Sequence, residues 1–157
     1  MNYKIVETNK DIKDIEMIAS VVWPITYKKI LTPTQIKYML DKFLSEQSIK
    51  ENIEQDYTYI IFSDEDETKN GFAAYKKTDD KIFLSKLYIL PNSQNQGITS
   101  NFIKYLKNFN IPIELTVNKA NKNAYEKYLH LGFKVTQAVK TDIGQNFFMD
   151  DYVMVLK

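Results

Sequence analysis

Apolar residues along the chain follow two periods, and the first segments show both. Tyr3–Glu7 alternates in the manner of a short strand. Apolar residues then recur every three to four positions in a stretch that predicts a helix, capped by Thr8 or Asn9 and ending at Pro24. Thr32 caps a second predicted helix, with Pro33 in its first turn and Gln35 completing a capping box.

A third short helix follows Ser45. The rest of the chain is a series of strands interrupted by two helices, of which Asn121 opens the second. The remaining predicted elements are strands at 57–63, 72–77 and 81–90, a helix at 97–108, and strands at 111–117, 133–140 and 147–156. The order is therefore β, two or three helices, βββ, α, β, α, ββ. With 157 residues and no linker, we predict one domain over residues 1–157.

Composition excludes several classes of function. Apolar residues make up 44% of the chain and the formal net charge is +1, as expected of a globular domain without a nucleic-acid footprint. The absence of Cys excludes a cysteine nucleophile and thiolate metal ligands, and we predict no metal site. The chain also has no Arg, so anions must be held by backbone N–H groups or Lys. No signal peptide or membrane span is evident, and we expect a cytoplasmic protein that does not bind membranes.

A polar turn, Gln94–Thr99, separates a predicted strand from a predicted helix. Such a turn, with Gly97 at the helix start, points several N–H groups outward together with the positive end of the helix dipole. This arrangement binds phosphate without Arg. A single Gly in a polar loop is also typical of an ordinary turn, so the turn alone leaves both interpretations open.

The segment from Asn121 to Phe133 carries a polar stripe. Asn121, Ala124 and Tyr128 share one helix face, where a core helix would carry aliphatic residues. Gly132 is expected just past the helix end, in a left-handed conformation, and Phe133 begins the next strand. Asn121 as a simple cap and Tyr128 as a core aromatic remain the alternative.

Together the two segments resemble the GNAT superfamily of N-acetyltransferases. In that family a Gln/Arg-x-x-Gly-x-Gly/Ala turn cradles the pyrophosphate of acetyl-CoA, and Gln94, Gly97 and Thr99 occupy its three positions. Thr99 departs from the usual Gly or Ala. The family's later motif, Asn-x-x-Ala-x-x-x-Tyr-x-x-x-Gly-Phe, matches without a gap from Asn121 to Phe133.

The resemblance implies a fold, a reaction and a donor site. The fold is α/β (α+β), with a mixed, mostly antiparallel central sheet flanked by helices. The reaction is direct transfer of an acetyl group from acetyl-CoA to an amine, a small amine or polyamine being favoured and a protein amine also open. The cofactor-binding residues implied are Leu87, Tyr88, Ile89, Gln94, Asn95, Gln96, Gly97, Ile98, Thr99, Ser100, Asn121 and Ala124. Tyr128 is the implied general acid, since a phenol can protonate the departing thiolate.

The acceptor side is less defined. Trp23 and Tyr27, expected in the loop after the first helix, line the acceptor mouth by family analogy or else pack in the core. Candidates for the base or for acceptor binding are Ser85, acting through a water, and Asp150, Asp151 and Tyr152 on the last strand. A solvated sheet edge is the alternative for the two carboxylates. His130, the only His, is expected to be exposed or to cap the helix end.

Two further expectations follow from the resemblance. Segments 142–144 and 149–152 are similar to PaiA-type polyamine acetyltransferases, and a homodimer is common in the superfamily. The alternative function is a catalytically weak acyl-CoA-binding regulatory module, which Thr99 and the lack of an obvious base motivate.

Overall fold

The computed structural model describes residues 1–157, which form one seven-stranded sheet with helices on both faces. The strand order is β1-β2-β3-β4-β5-β7-β6, and only β4 and β5 are parallel. The strands are β1 (Asn2–Ile5), β2 (Tyr57–Ser63), β3 (Lys69–Lys77), β4 (Ile82–Ile89), β5 (Ile113–Asn118), β6 (Lys134–Gly144) and β7 (Phe147–Leu156). The helices are α1 (Asn9–Tyr27), α2 (Pro33–Phe43), α3 (Glu46–Glu54), α4 (Ile98–Lys107) and α5 (Lys122–His130), with a 3-10 turn at Pro91–Ser93. The predicted element order and the mixed, mostly antiparallel sheet are confirmed.

Two hydrophobic cores of similar size cover the two faces of the sheet. Helices α1, α2 and α3 pack on one face around residues such as Ile15, Met39 and Ile49. Helices α4 and α5 pack on the other, where Phe102 and Tyr128 are buried. Because both faces are covered, a side chain on a central strand reaches solvent only where neighbouring strands separate.

The parallel strands β4 and β5 separate halfway along their length. They pair only from Ile82 with Ile113 to Leu84 with Leu115, although both strands continue. The next residue, Ser85, is the extra residue of a β-bulge against β3, since Ala74 pairs with Lys86 and Tyr75 with Leu84. A bulge bends its strand and increases its twist, which accounts for the separation at this point. The edge of β4 beyond Ser85 is therefore free on the β5 side.

The structure corrects the predicted end of α1. The helix continues through Pro24 to Tyr27, so Trp23 and Tyr27 lie on α1 and not in a loop. An internal Pro destabilises a helix by about 3 kcal/mol in isolation. Here the apolar face continues past it, with Val22, Trp23 and Tyr27 all buried, and this burial outweighs the loss of one hydrogen bond.

The predictions for the cap of α2 and for the start of β3 are also corrected. Thr32 caps α2, but the Gln35 side chain does not complete a capping box and instead donates to the Phe148 carbonyl at 2.9 Å. Strand β3 begins at Lys69, three residues before the predicted start at 72, so Gly71 lies within the strand. A Cβ on Gly71 would stand 2.2 Å from the Tyr88 carbonyl oxygen, so only Gly permits this approach of β3 to β4.

The predicted glycine at the end of α5 is confirmed. Gly132 has a φ of +99° directly after the helix, as expected of a helix-terminating glycine. The apolar positions of α4 at helical spacing, Ile98, Phe102, Ile103 and Leu106, are all buried.

None of the helices combines the length and the apolar composition that a membrane span requires.

Candidate functional site

Three adjoining cavities form a groove along β4. The first, which we call the acyl cavity, has a volume of about 90 Å³ and lies where β4 and β5 separate, lined by Ser85–Tyr88 and Thr116–Asn118. The second, the channel, shares Leu87, Tyr88 and Tyr128 with the acyl cavity. The third, the turn cavity, lies at the start of α4 and shares Ile89, Gln94, Thr99 and Lys127 with the channel. The groove thus runs from the α4 N-terminus to the centre of the sheet.

Two residues in the left-handed conformation shape the backbone turn that lines the turn cavity. Asn95 and Gly97 have φ values of +63° and +79°. A Cβ on Gly97 would meet no atom within 4 Å, so the space in front of this residue is open. The Gln94 side chain donates to the Ile89 carbonyl at 3.1 Å and holds the turn against the end of β4.

Helix α4 differs from the other four helices at its N-terminus. Thr8, Thr32, Ser45 and Asn121 each cap a helix with a side-chain oxygen, whereas no side chain caps α4. Its first N–H groups therefore have no side-chain partner, and they lie at the turn cavity with Thr99 and Ser100. Unsatisfied N–H groups and the helix dipole together favour an anion at this place.

Lys127 is a residue that the sequence reasoning missed. It lies on α5 and lines both the channel and the turn cavity, where it is the one cationic side chain in the lining. The signal was present: a chain without Arg must use Lys near an anion, and Lys127 lies three residues after Ala124 on the motif helix.

Most of the predicted donor-side residues line this groove. Leu87, Tyr88 and Ile89 of β4, the turn residues except Gln96, and Asn121 and Ala124 of α5 all contribute. Gln96 lines none of the three cavities, because its side chain is exposed and donates to the Asn92 carbonyl at 3.3 Å. Asn121 also caps α5: its Oδ1 accepts from the Ala124 N–H at 3.4 Å, which leaves its N–H₂ group for another partner.

Tyr128 lies at the junction of the channel and the acyl cavity. The residue is 9% exposed and packs edge-on against Phe133 with ring centroids 5.5 Å apart. Burial, with a smaller effect of Tyr27, raises the pKa of its hydroxyl well above the usual value for a phenol. The phenol is therefore protonated throughout the physiological pH range, and proton donation is more uphill than the reference pKa values indicate.

An aromatic cluster, Trp23, Tyr27 and Tyr88, forms one wall of the acyl cavity. The Trp23 ring lies 5.1 Å from Tyr27 and 5.4 Å from Tyr88, and the two tyrosine hydroxyls are 3.0 Å apart. Burial raises the pKa of Tyr27 to about 12. Trp23 and Tyr27 are therefore buried and also line this cavity.

The last strand places only one of its three candidates in the acyl cavity. Asp151, 5% exposed, lines the cavity, and burial followed by repulsion from Asp150 raises the pKa of its carboxyl to about 6. Asp150 lies on the other face and forms an ion pair with Lys119 at 3.0 Å. Tyr152 also lies on that face, with its ring 5.3 Å from Tyr125. Neither Asp150 nor Tyr152 reaches the cavity, because successive strand residues alternate between faces.

The remaining candidates are placed as follows. Ser85 lines the cavity, but its hydroxyl donates to the Ala74 carbonyl at 3.3 Å. His130 is exposed at the end of α5, as expected. Lys86 is a second residue that the sequence reasoning missed: it lines the cavity, and burial lowers the pKa of its ammonium to about 8. Nothing in the sequence distinguishes it from the other lysines, since its position depends on the bulge.

Comparisons with known proteins give short matches in sequence and long ones in structure. An uncharacterized N-acetyltransferase of Staphylococcus aureus strain COL is 38% identical over 60 residues, so the match spans about two fifths of each protein, 38% of this chain and 39% of the relative. The PaiA N-acetyltransferase of Thermoplasma acidophilum, solved in complex with coenzyme A, is 24% identical with a TM-score of 0.77 over 100% of this chain and 99% of that one.

A second solved structure, the spermidine/spermine N-acetyltransferase SpeG of Vibrio cholerae, is 15% identical with a TM-score of 0.66 over 99% of this chain and 91% of that one. At these identities the structural matches establish the fold. The family model of the acetyltransferase (GNAT) domain matches residues 27–149. This range includes β4, the Gln94–Thr99 turn and the whole Asn121–Phe133 motif. The chain therefore belongs to the GNAT acetyltransferase family.

Proposed function

We propose that the protein is an N-acetyltransferase that moves an acetyl group directly from acetyl-CoA to an amine. The observation that carries this proposal is the continuous groove, with an uncapped helix N-terminus at one end and the pair Tyr128 and Asp151 at the other. An anion site, a strand edge and an acid and a base at one cavity are the parts that this reaction requires.

The residues of the groove fit acetyl-CoA. The free N–H groups of α4 and the cation of Lys127 would hold the diphosphate, and the open space at Gly97 lets it approach the backbone. Thr99 lines the same cavity, where its hydroxyl adds a donor in place of the usual small residue. The free edge of β4 from Leu87 to Ile89 offers backbone groups to the amide groups of the pantetheine arm.

The reaction forms one bond and breaks one. Acetyl-CoA supplies an acetyl thioester, and transfer forms a C–N bond to the amine and breaks the C–S bond. Tyr128 donates its proton to the sulfur that leaves, and the tyrosinate takes back the proton that the nitrogen loses once the C–N bond has formed. A backbone N–H on the free edge of β4 near Leu87–Ile89 stabilises the carbonyl oxygen, an interaction that typically contributes about 3 to 4 kcal/mol.

Asp151 is the proposed base. An alkyl ammonium has a pKa near 10.4, so an acceptor must lose a proton before it attacks. With a pKa of about 6, the Asp151 carboxyl is ionised at neutral pH and accepts that proton. Burial makes this carboxylate a stronger base than an ordinary Asp. It therefore lowers the free energy needed to move a proton from the ammonium to the carboxylate.

The alternative is an acyl-CoA-binding regulatory module without a working acceptor site. Its main motivation in the sequence was the lack of an obvious base. Asp151 in the acyl cavity supports the enzyme over the module, since a module needs no buried carboxylate there.

The test is incubation with acetyl-CoA and a panel of amines, with a thiol reagent to detect free CoA. The protein has no Cys, so it contributes no thiol background. We expect CoA release that depends on the amine. Tight CoA binding by calorimetry without release across a broad panel would favour the regulatory module, and absence of CoA binding would contradict both functions.

A further inference from the structure

One charged residue that lines the acyl cavity takes no part in transfer of the acetyl group. It is Lys86 on β4, which lines the same cavity as Asp151. Such a residue is informative because charged groups in protein interiors are usually paired.

Lys86 has no charged partner within the protein. It forms none of the six ion pairs of the structure, and its nearest described interaction is with the ring of Tyr59, 5.9 Å from the ammonium. Burial alone lowers the pKa of its ammonium to about 8, and no carboxylate offsets that effect. The side chain is nevertheless protonated at neutral pH. A partly buried cation without a counter-ion is stabilised by an anion that enters the cavity.

The charges of the cavity are therefore of both signs. Asp151 carries the negative charge, and the two charged groups do not pair with each other. An acceptor with only ammonium groups can pair with Asp151 but brings a like charge towards Lys86. An acceptor with an amine and a carboxylate can pair with Asp151 and Lys86 together.

Building on the proposed function, we infer that the acceptor is an amino carboxylate, whose amine lies at Asp151 and whose carboxylate lies at Lys86. This narrows the range that the sequence left open between small amines, polyamines and protein amines, and it places linear polyamines among the poorer acceptors.

The test compares acceptors that differ in one end group. Amino carboxylates from glycine to 6-aminohexanoate are each paired with the alkylamine and the diamine of the same chain length, for example 4-aminobutanoate with n-butylamine and 1,4-diaminobutane. CoA release gives kcat/KM for each. We expect at least one amino carboxylate to exceed its matched diamine by about tenfold or more, the contribution of one charge-assisted interaction.

A variant separates recognition from a structural role. Lys86→Met keeps the length of the side chain and removes the charge, so it should abolish most of that preference, chiefly through KM. Its effect on n-butylamine should stay below about threefold, since that acceptor has no carboxylate to lose. Lys76→Met is the matched control: Lys76 also stands over a tyrosine ring, 5.7 Å from Tyr57, but lies outside the acyl cavity. It should keep the preference.

The outcomes separate this inference from the proposed function. Diamines that match or exceed every amino carboxylate would overturn the inference and leave the acetyltransferase intact. An equal loss for all acceptors in Lys86→Met would assign Lys86 a structural role and also overturn the inference. Absence of CoA release with every acceptor, alkylamines included, would contradict the proposed function itself.

Discussion

Two adjacent carboxylates on β7, Asp150 and Asp151, show how strongly the environment of a side chain differs between neighbouring positions of a strand. Asp150 is half exposed at 52% and paired with Lys119, whereas Asp151 is buried in the acyl cavity. The two residues have the same side chain but lie on opposite faces of the sheet, so they form a matched pair for mutation.

The first prediction concerns this pair and catalysis. Asp151→Asn should lower kcat/KM by about 10²–10⁴-fold, the usual contribution of a general base. In the wild-type protein, kcat/KM should fall about tenfold for each pH unit below about pH 6, where the Asp151 carboxyl becomes protonated. The inflection should be absent in Asp151→Asn. Asp150→Asn is the control, and an equal loss of activity in it would remove the base role from Asp151.

The same substitution should stabilise the fold. The Asp151 carboxyl has a pKa near 6 in the folded protein and near 3.8 otherwise, so the folded state binds more protons between these values and stability falls as pH rises through that window. Above about pH 6 the penalty is complete, at up to about 3 kcal/mol for a shift of about two units. We expect Asp151→Asn to unfold at a higher denaturant concentration than wild type at pH 8 and at a similar one near pH 4. A destabilised Asp151→Asn at pH 8 would contradict the buried, unpaired carboxylate.

Tyr128 carries the third prediction. Tyr128→Phe removes the hydroxyl and keeps the packing against Phe133, so kcat should fall by about 10²-fold while the Kd for acetyl-CoA changes little. Steady-state kinetics and calorimetry measure the two quantities. Tyr125→Phe on the same helix is the control, because Tyr125 packs against Tyr152 outside the acyl cavity. Unchanged turnover in Tyr128→Phe would remove Tyr128 from the mechanism.

At the scale of elements, local rules predicted helix starts well and helix ends less well. Thr8, Thr32 and Ser45 cap helices with short-range hydrogen bonds, which the sequence alone specifies. The end of α1 depends on burial of its apolar face against the sheet, and this long-range packing overrode Pro24. The uncapped start of α4 is an exception to the capping rule, at the place where we propose that the diphosphate binds.

The fourth prediction belongs to that helix start. Gly97→Ala places a methyl group in the open space of the turn, so the Kd for CoA should rise by about tenfold or more, while the left-handed φ of +79° makes the substitution destabilising by about 1 kcal/mol. Gly132→Ala is the control, because Gly132 is also left-handed, with φ +99°, and lies outside the turn cavity. Calorimetry with CoA measures the difference, and equal affinities in the two variants would argue against diphosphate at Gly97.

At the scale of the whole molecule, ligand binding should appear as stability. The groove runs between elements of both layers, with α1 on one side and α4 and α5 on the other. A ligand at 100 times its Kd stabilises the folded state by about 2.7 kcal/mol. We therefore expect CoA to raise the midpoint of thermal unfolding by about 5 to 10 °C for a domain of this size. Adenine alone, which lacks the diphosphate, should produce little shift, and a CoA shift no larger than that of adenine would contradict the groove as its site.

The sequence alone determined the donor half of this protein. The turn from Gln94 to Thr99 and the motif from Asn121 to Phe133 are short segments whose geometry follows from the local periods of a turn and a helix. Helix periodicity therefore placed Tyr128 and Asn121 on one face before any tertiary contact was known.

The proposed acceptor half was decided by tertiary structure. Trp23, Lys86 and Asp151 come from α1, β4 and β7, far apart in the chain, and they meet only because the sheet order brings these elements together. Their directions depend on the bulge at Ser85 and on the register of β7 against β5, where a shift of one residue would exchange Asp151 with Asp150. Register and bulges are set by packing over the whole sheet, so the local sequence specifies the chemistry of these side chains but not the cavity that they share.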